Sequence, residues 1–231
     1  TTVAVNLGVQ MARLAPQRVA LLDFGRPLGE VSLLGDVRPR FSIRDALENL
    51  DRLDAHFMER LVDRHKSGLH VLAGAYRPDD WQSMPASELA RLVSRTQNFY
   101  DHVLIDFGSV YTSEWKPVFE PAKDILLVAE AAVPALWPIE RHLAALESMG
   151  VSSSRIHIVI NRWHRQDDDA LKSVEKMAKR PIFSRIPNDF RQASRANNMG
   201  VPLVEDRING LASKYGEIAR QLVGARPSQG E

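Results

Sequence analysis

The sequence predicts an α/β fold, with a doubly wound, mainly parallel sheet and helices on both faces. Two observations predict it. Short apolar, β-branched segments alternate with amphipathic segments along nearly the whole chain. Several of the apolar segments also lack the alternating pattern of a half-exposed strand, as expected for parallel strands covered on both faces. Alternation of strands and helices in this order is typical of doubly wound sheets.

The individual elements follow from these two patterns. Continuous apolar character predicts strands at residues 18–24, 70–73, 102–107, 125–129, 156–161 and 181–186. Helical periodicity predicts helices at residues 2–14, 42–49, 54–66, 87–98, 138–149, 168–179, 189–198 and 210–223. Ser42 and Ser87 are suited to cap two of these helices. We expect one domain over residues 1–224 and a disordered tail at residues 225–231.

Composition narrows the possible functions. The chain has 231 residues, 44% of them hydrophobic and 26% charged, as in ordinary globular proteins. A net charge of +1 gives no strong signal for nucleic acid. The absence of cysteine excludes disulfides and thiolate metal sites and fits a reducing cytoplasm. No apolar run approaches the ~20 residues of a transmembrane segment.

Polar residues at strand ends carry the functional signal. Asp23, Asp106 and Asn161 each end an apolar strand, and we expect all three at the same sheet edge, because ligands of open α/β sheets bind at the carboxyl ends of strands. An acid there reaches a magnesium ion beside a phosphate loop, or caps the following turn. Thr1 and Thr2 open a helix, as at the end of a phosphate-binding loop. Together they favour a metal–nucleotide site and predict a glycine-rich loop before Thr1.

This combination resembles the deviant-Walker ATPases of the MinD/ParA family, which are P-loop NTPases of the SIMIBI type. The resemblance covers the whole chain and implies ATP and Mg²⁺ as cofactors. It implies that Thr1 and Thr2 bind the nucleotide, with Thr1 also on the metal. It implies that Asp106, in the Walker B position, binds the metal. Asp23 is implied to be catalytic and to help hold the metal through water.

The same resemblance implies where the base binds. Asn161 and Arg162 match the Asn-Arg pair that follows a late strand of the family. Pro187 and Asp189 match the family's I-P-x-D turn. These four residues are therefore expected to bind the nucleotide base.

Two glycines depart from the family pattern. Gly25 replaces the second acid of the LLDxD motif, which orients the attacking water, and Gly108 replaces the Walker B proline. Because positioning of the nucleophile is central to phosphoryl transfer, the resemblance implies slow or absent hydrolysis, with Glu30 or Asp36 as possible substitutes. Arg26, next to Gly25, is expected to be solvated, with contact to phosphate in a closed state as the alternative.

Within the family, three segments resemble the CpaE/TadZ branch of type IV and tight-adherence pilus-assembly ATPases: residues 28–34, residues 64–72, and residues 186–189 with 196–204. This likeness implies a homodimer whose partners are pilus or secretion machinery proteins. It implies a cytoplasmic protein recruited through partners to the inner face of the membrane or to the cell pole. It also implies a receiver-like domain upstream of Thr1.

Three functions stay open. The first is an ATPase that dimerises around ATP as a switch, and the second is a non-hydrolysing scaffold of the same fold. The third is a DNA-partitioning-type ATPase. Gly25 favours the non-hydrolysing scaffold over the ATPase switch. The near-neutral net charge counts against the DNA-partitioning function, because binding to DNA depends on several phosphate contacts.

Overall fold

The computed structural model describes residues 1–16, 18–109, 111–132, 136–205 and 210–224, so the predicted tail at residues 225–231 lies outside the described residues. The chain divides into two compact units. The first unit is built from Thr1–Tyr111 and Gln192–Glu231, and the second from Thr112–Arg191. The expectation of one domain over residues 1–224 stays a prediction.

Every predicted strand and helix has a counterpart in the structure. The strands are β1 (Val19–Phe24), β2 (Asp63–Arg64), β3 (His70–Leu72), β4 (His102–Phe107), β5 (Ile125–Glu130), β6 (Ile156–Trp163) and β7 (Ile182–Pro187). The α-helices are α1 (Thr2–Leu14), α2 (Val31–Leu34), α3 (Ile43–Glu48), α4 (Ala55–Leu61), α5 (Ala86–Gln97), α6 (Lys116–Phe119), α7 (Ile139–Ser148), α8 (Asp168–Ala178), α9 (Phe190–Met199) and α10 (Gly210–Val223). None of these helices is long and apolar enough to cross a membrane.

The strands form two sheets. In the first unit the strand order is β2-β3-β1-β4, and in the second it is β5-β6-β7. Six of the seven described strands pair in parallel with a neighbour, and the remaining strand, β2, pairs antiparallel with β3. With helices on both sides of the sheet, this arrangement confirms the predicted fold class.

The core of the first unit surrounds β1, whose six residues are all buried. Helix α1 is fixed beside it by a polar row on one helix face. Asn6 Oδ1 accepts a hydrogen bond from Val204 N (3.0 Å), and Arg13 Nη1 donates to Val204 O (2.8 Å). Between them, Gln10 Nε2 donates to Ala212 O (2.8 Å). These spacings of four and three residues place the three side chains on one face, so α1 is tied to the C-terminal part of its own unit.

The predicted helix at residues 54–66 is too long. Helix α4 ends at Leu61, and the next residues form β2, which pairs with β3 as a hairpin. His65 N donates to Leu69 O (2.8 Å), and Gly68 N donates to His65 O (2.9 Å). Gly68 has φ +90°, a conformation that favours glycine. The helical periodicity continues past Leu61, but pairing of residues 63–64 with the next strand, β3, decided the structure.

One of the two predicted helix caps is wrong. Ser42 precedes α3, and both its backbone N and its Oγ donate to Asp45 Oδ2 (2.7 and 2.8 Å), as predicted. Ser87 instead lies inside α5, which begins at Ala86 with Pro85 at the capping position. Pro85 is extended (φ −68°, ψ 149°) and stands directly before the helix, so Ala86 becomes its first residue.

Candidate functional site

The two predicted acids lie at one edge of the first sheet. Strands β1 and β4 are parallel neighbours, and Asp23 pairs in register with Asp106. Their residues are 1% and 7% exposed, respectively. The prediction that both strands end at the same edge is therefore confirmed. The expectation that Asn161 shares this edge stays a prediction, because its strand belongs to the other sheet.

The start of α1 meets the same edge. Thr1 is the N-cap residue of this helix, which begins at Thr2. The backbone N of Thr1 lies 3.2 Å from Asp106 Oδ1. The first N–H groups of a helix have no partner within it and favour anions. The structure thus brings a helix N-terminus with two threonines together with the acid edge.

Asp23 is held by the loop that follows its own strand. Its Oδ1 accepts from Gly25 N (2.9 Å), and its Oδ2 accepts from Val31 N (3.1 Å). Burial, with a smaller contribution from the charge of Asp106, raises the pKa of Asp23 to about 6, although the two N–H donors oppose the shift. A cation at this edge would therefore relieve the cost of two neighbouring buried carboxylates.

Glycines enclose the Asp23 carboxylate. A Cβ atom placed on Gly29 would lie 2.1 Å from Asp23 Oδ2, and one on Gly25 would lie 2.9 Å from Oδ1. A Cβ on Gly74 would lie 3.1 Å from Asp23 Cγ. Sequence reasoning missed Gly29 and Gly74. The available signal was a glycine just before α2 and another just after β3, at the edge where Asp23 ends its strand.

The outer side of the same loop rests on Trp81. Its Nε1 donates to Pro27 O (3.1 Å), and its side chain is largely buried. The Arg26 guanidinium lies 4.5 Å from the centre of the Trp81 ring, within the range of a cation–π contact. Arg26 is exposed, as predicted, but it is stacked rather than fully solvated.

The predicted base-binding pair, Asn161 and Arg162, lies in the second unit near the end of β6, at a β-bulge. The register with β7 shifts between Ile160 and Trp163, so that Asn161 and Arg162 lie in the irregular stretch. Arg162 has φ +55°, an uncommon conformation for a residue other than glycine. Its Nη1 lies 2.9 Å from Glu130 Oε1, a partner that sequence reasoning missed. Bulges of this kind are frequent beside functional sites, where they re-aim side chains.

The other two predicted base-binding residues lie at the end of the neighbouring strand. Pro187 ends β7 and pairs in register with Trp163, and Asn188 N donates to Trp163 O (2.9 Å). Asn188 Nδ2 also lies 2.7 Å from His164 Nε2. Asp189 follows directly, ahead of α9. The carboxyl ends of β6 and β7 thus bring together all four predicted base-binding residues.

The chemistry of the first unit suits magnesium and phosphate. Carboxylate and hydroxyl oxygens are the ligands that Mg²⁺ prefers, and it usually takes further ligands from water and substrate phosphates. Among the described residues, no group of three or more His, Cys, Asp or Glu side chains could hold a metal ion. A metal ion beside Asp106 and Thr1 would therefore need the oxygens of a ligand or of water to complete its coordination.

Comparisons with known proteins agree with this geometry. No family model matches the chain. A Tupiella akineta protein described as a septum site-determining MinD is 26% identical over 235 residues, spanning 97% of this chain and 74% of the relative. The septum site-determining protein MinD of Thermotoga maritima is 22% identical over 233 residues, spanning 97% of this chain and 83% of the relative.

Solved structures share the fold. A ParA family ATPase from Chlorobium tepidum superposes with a TM-score of 0.87 at 20% identity, covering 94% of this chain and 92% of that chain. MinD from Pyrococcus horikoshii, solved with Mg-ADP, gives 0.79 at 18% identity, covering 96% and 89%. MinD in the MinC:MinD complex of Aquifex aeolicus gives 0.78 at 20% identity, covering 100% and 93%. The chain is thus similar in sequence to MinD proteins, and it has the fold of the MinD/ParA-type ATPases.

Proposed function

We propose that this chain is an ATP-binding switch of the MinD/ParA type that uses Mg²⁺, dimerises and positions a partner protein. The observation that carries the proposal is the register of Asp23 with Asp106 beside the start of α1. It places two carboxylates and a helix N-terminus, which suit a metal and a phosphate, at one sheet edge. Binding of Mg-ADP by the Pyrococcus horikoshii MinD supports the choice of ligand.

Each predicted residue has a role in this proposal. Thr1 and Asp106 hold the metal ion, and Thr2 with the first N–H groups of α1 binds phosphate. Asp23 reaches the metal through water only in a state in which the loop after its strand has moved away, because both of its oxygens otherwise accept bonds from that loop. Asn161, Arg162, Pro187 and Asp189 bind the base from the ends of β6 and β7.

Turnover is expected to be slow because Gly25 has no side chain that could orient water. A positioned acid or base contributes on the order of 10²–10⁴-fold to a rate. Asp23 is a poor substitute, because both of its oxygens already accept backbone N–H bonds. Metal and phosphate binding do not need a side chain at residue 25, so the bound state would be long-lived.

The output of such a switch is a surface that recruits or positions another protein, as the MinC:MinD complex illustrates for Aquifex aeolicus. We place this action in the cytoplasm, at the membrane or cell pole through partners. A pilus machine of the CpaE/TadZ branch is the finer proposal, and three sequence motifs support it. One of them, residues 64–72, coincides with the β2–β3 hairpin and so has a purely structural explanation. A non-hydrolysing scaffold, or a DNA-partitioning-type ATPase, is the alternative.

The test is ATP binding and turnover in the full-length protein, with Gly25→Asp and Gly25→Ala as variants. Gly25→Ala carries the same Cβ near Asp23 as Gly25→Asp but lacks the carboxylate, so it isolates the steric effect. We expect Mg²⁺-dependent ATP binding in the wild type with slow hydrolysis, and faster hydrolysis only in Gly25→Asp. Fast hydrolysis by the wild type, unchanged in Gly25→Asp, contradicts the slow switch. Absence of ATP binding contradicts the switch itself and favours the scaffold.

A further inference from the structure

We infer that Asp23 is a positioning residue that latches the loop of residues 25–31, and that it contacts neither metal nor substrate while the loop is latched. The inference rests on the proposed function for its ligand, but the latch itself belongs to the protein alone. It assigns the two acids different tasks, with Asp106 at the metal and Asp23 in control of the loop.

The latch consists of two hydrogen bonds to opposite ends of one loop. Gly25 N donates to one carboxylate oxygen of Asp23, and Val31 N, at the start of α2, donates to the other. Hydrogen bonds from N–H groups to a carboxylate are among the stronger ones in proteins. The Asp23 carboxylate therefore holds both ends of the loop, Gly25 and Val31, at the same place.

The enclosure leaves no room for a metal ion at Asp23. The residue is 1% exposed, and the Cα atoms of Gly29 and Gly74 lie so close that a Cβ on either would press on the carboxylate. A metal–oxygen contact of about 2.0–2.1 Å needs a free lone pair that faces the ion. The loop must move away before water or metal reaches Asp23.

A second contact holds the loop from its outer side. Trp81 Nε1 donates to Pro27 O (3.1 Å), and the Trp81 ring carries the Arg26 guanidinium. Residues 25–31 are thus held by two sets of contacts, the hydrogen bonds to Asp23 and the hydrogen bond from Trp81. Each set can be removed by a separate variant, which gives two independent tests.

The experiment measures backbone amide hydrogen exchange at Gly25 and Val31 by NMR in the full-length protein, first without nucleotide. In Asp23→Asn only one side-chain oxygen can accept, so we expect exchange at one or both amides to rise at least about tenfold, with Leu21 and Leu22 unchanged. In Asp106→Asn, the matched variant at the register partner, exchange at both amides should stay near wild type. Trp81→Phe keeps an aromatic ring but loses the indole N–H that bonds Pro27 O, and serves if Asp23→Asn does not fold; it should raise exchange at the two amides severalfold.

A second readout separates positioning from a merely structural role. Addition of Mg-ADP to the wild type should change exchange at Gly25 and Val31 while other β1 amides keep their rates. The Mg²⁺ dependence of ADP affinity should be lost in Asp106→Asn and kept in Asp23→Asn.

Unchanged amide exchange in Asp23→Asn, or exchange that does not respond to Mg-ADP, overturns the latch. Equal loss of Mg²⁺ dependence in both variants makes Asp23 a direct ligand instead. If no ADP binds at all, the proposed function fails, whereas the exchange in the nucleotide-free protein still tests the hydrogen bonds.

Discussion

At the residue scale, the site depends as much on absent side chains as on charged ones. Asp23 carries the charge, but the glycines at 25, 29 and 74 allow two loop segments to close over it. Gly25 has two consequences at once. In the proposed switch it leaves no acid to orient water, and it lets the loop pack against Asp23 Oδ1. Under that proposal, hydrolysis and loop closure would be coupled at one position.

Gly29→Ala should destabilise the protein by about 1–3 kcal/mol, the usual cost of forcing extra atoms into a filled space. The reason is that the added Cβ would lie 2.1 Å from Asp23 Oδ2. Gly108→Ala is the matched control, since a Cβ there meets nothing within 4 Å. Urea denaturation of both variants measures the difference. Equal free energies of unfolding would show that the loop does not hold Asp23 closely.

At the element scale, the β2–β3 hairpin places a histidine in the core. His70, the first residue of β3, is 3% exposed, and its Nδ1 lies 2.8 Å from Tyr100 Oη. The two rings meet edge to face, with centroids 5.4 Å apart. Burial lowers the pKa of His70, and nearby Arg64 lowers it further, while Glu59 opposes the shift. The folded state therefore favours the neutral imidazole.

This hairpin should lose stability in mild acid. With the pKa lowered in the folded state, the unfolded chain binds the proton first, so the free energy of unfolding falls as pH drops through about 6.5. The double variant His70→Phe with Tyr100→Phe removes the titration and both polar ends of the contact. Urea denaturation at pH 7, 6 and 5 should show a smaller loss for the double variant. Parallel pH profiles for the two proteins would exclude His70 as the cause.

At the scale of the whole molecule, the proposed roles are divided between the two units. Residues assigned to metal and phosphate lie in the first, and those assigned to the base lie in the second. Each group stands at the carboxyl ends of parallel strands, where ligands of open α/β sheets bind.

The proposed switch predicts that the assembly state follows the ligand. The full-length protein should be a monomer without nucleotide and a dimer with ATP and Mg²⁺, because a ligand shifts an equilibrium only through its differential affinity for the two states. Light scattering after size exclusion should show the mass double. Asp106→Asn, which lacks one metal ligand, should stay monomeric at the same ATP concentration. A dimer that forms equally well without nucleotide would favour the scaffold.

The sequence by itself determined the order of the parallel strands and of the longer helices, and the position of each of the two acids at a strand end. Apolar continuity marks a strand covered on both faces, and such a strand ends where polar residues begin, as at Asp23 and Asp106. Parallel strands in one sheet end at the same edge, so the order of elements placed both acids at one edge, whereas the pairing of β1 with β4 brought them into register. The sequence also predicted the start of α1 at Thr2, because helical periodicity is a local pattern.

Only the tertiary structure decided what surrounds those acids. The hydrogen bond from Val31 to Asp23 spans eight residues of irregular loop, and Gly74 reaches Asp23 from the end of another strand. The hairpin at β2 likewise depends on pairing with β3, which overrode a helical pattern past Leu61. Periodicity records which face of an element is buried, whereas these contacts depend on where the chain folds back. For that reason the sequence indicated Asp23 as an acid at a strand end, and the structure assigned it to the loop.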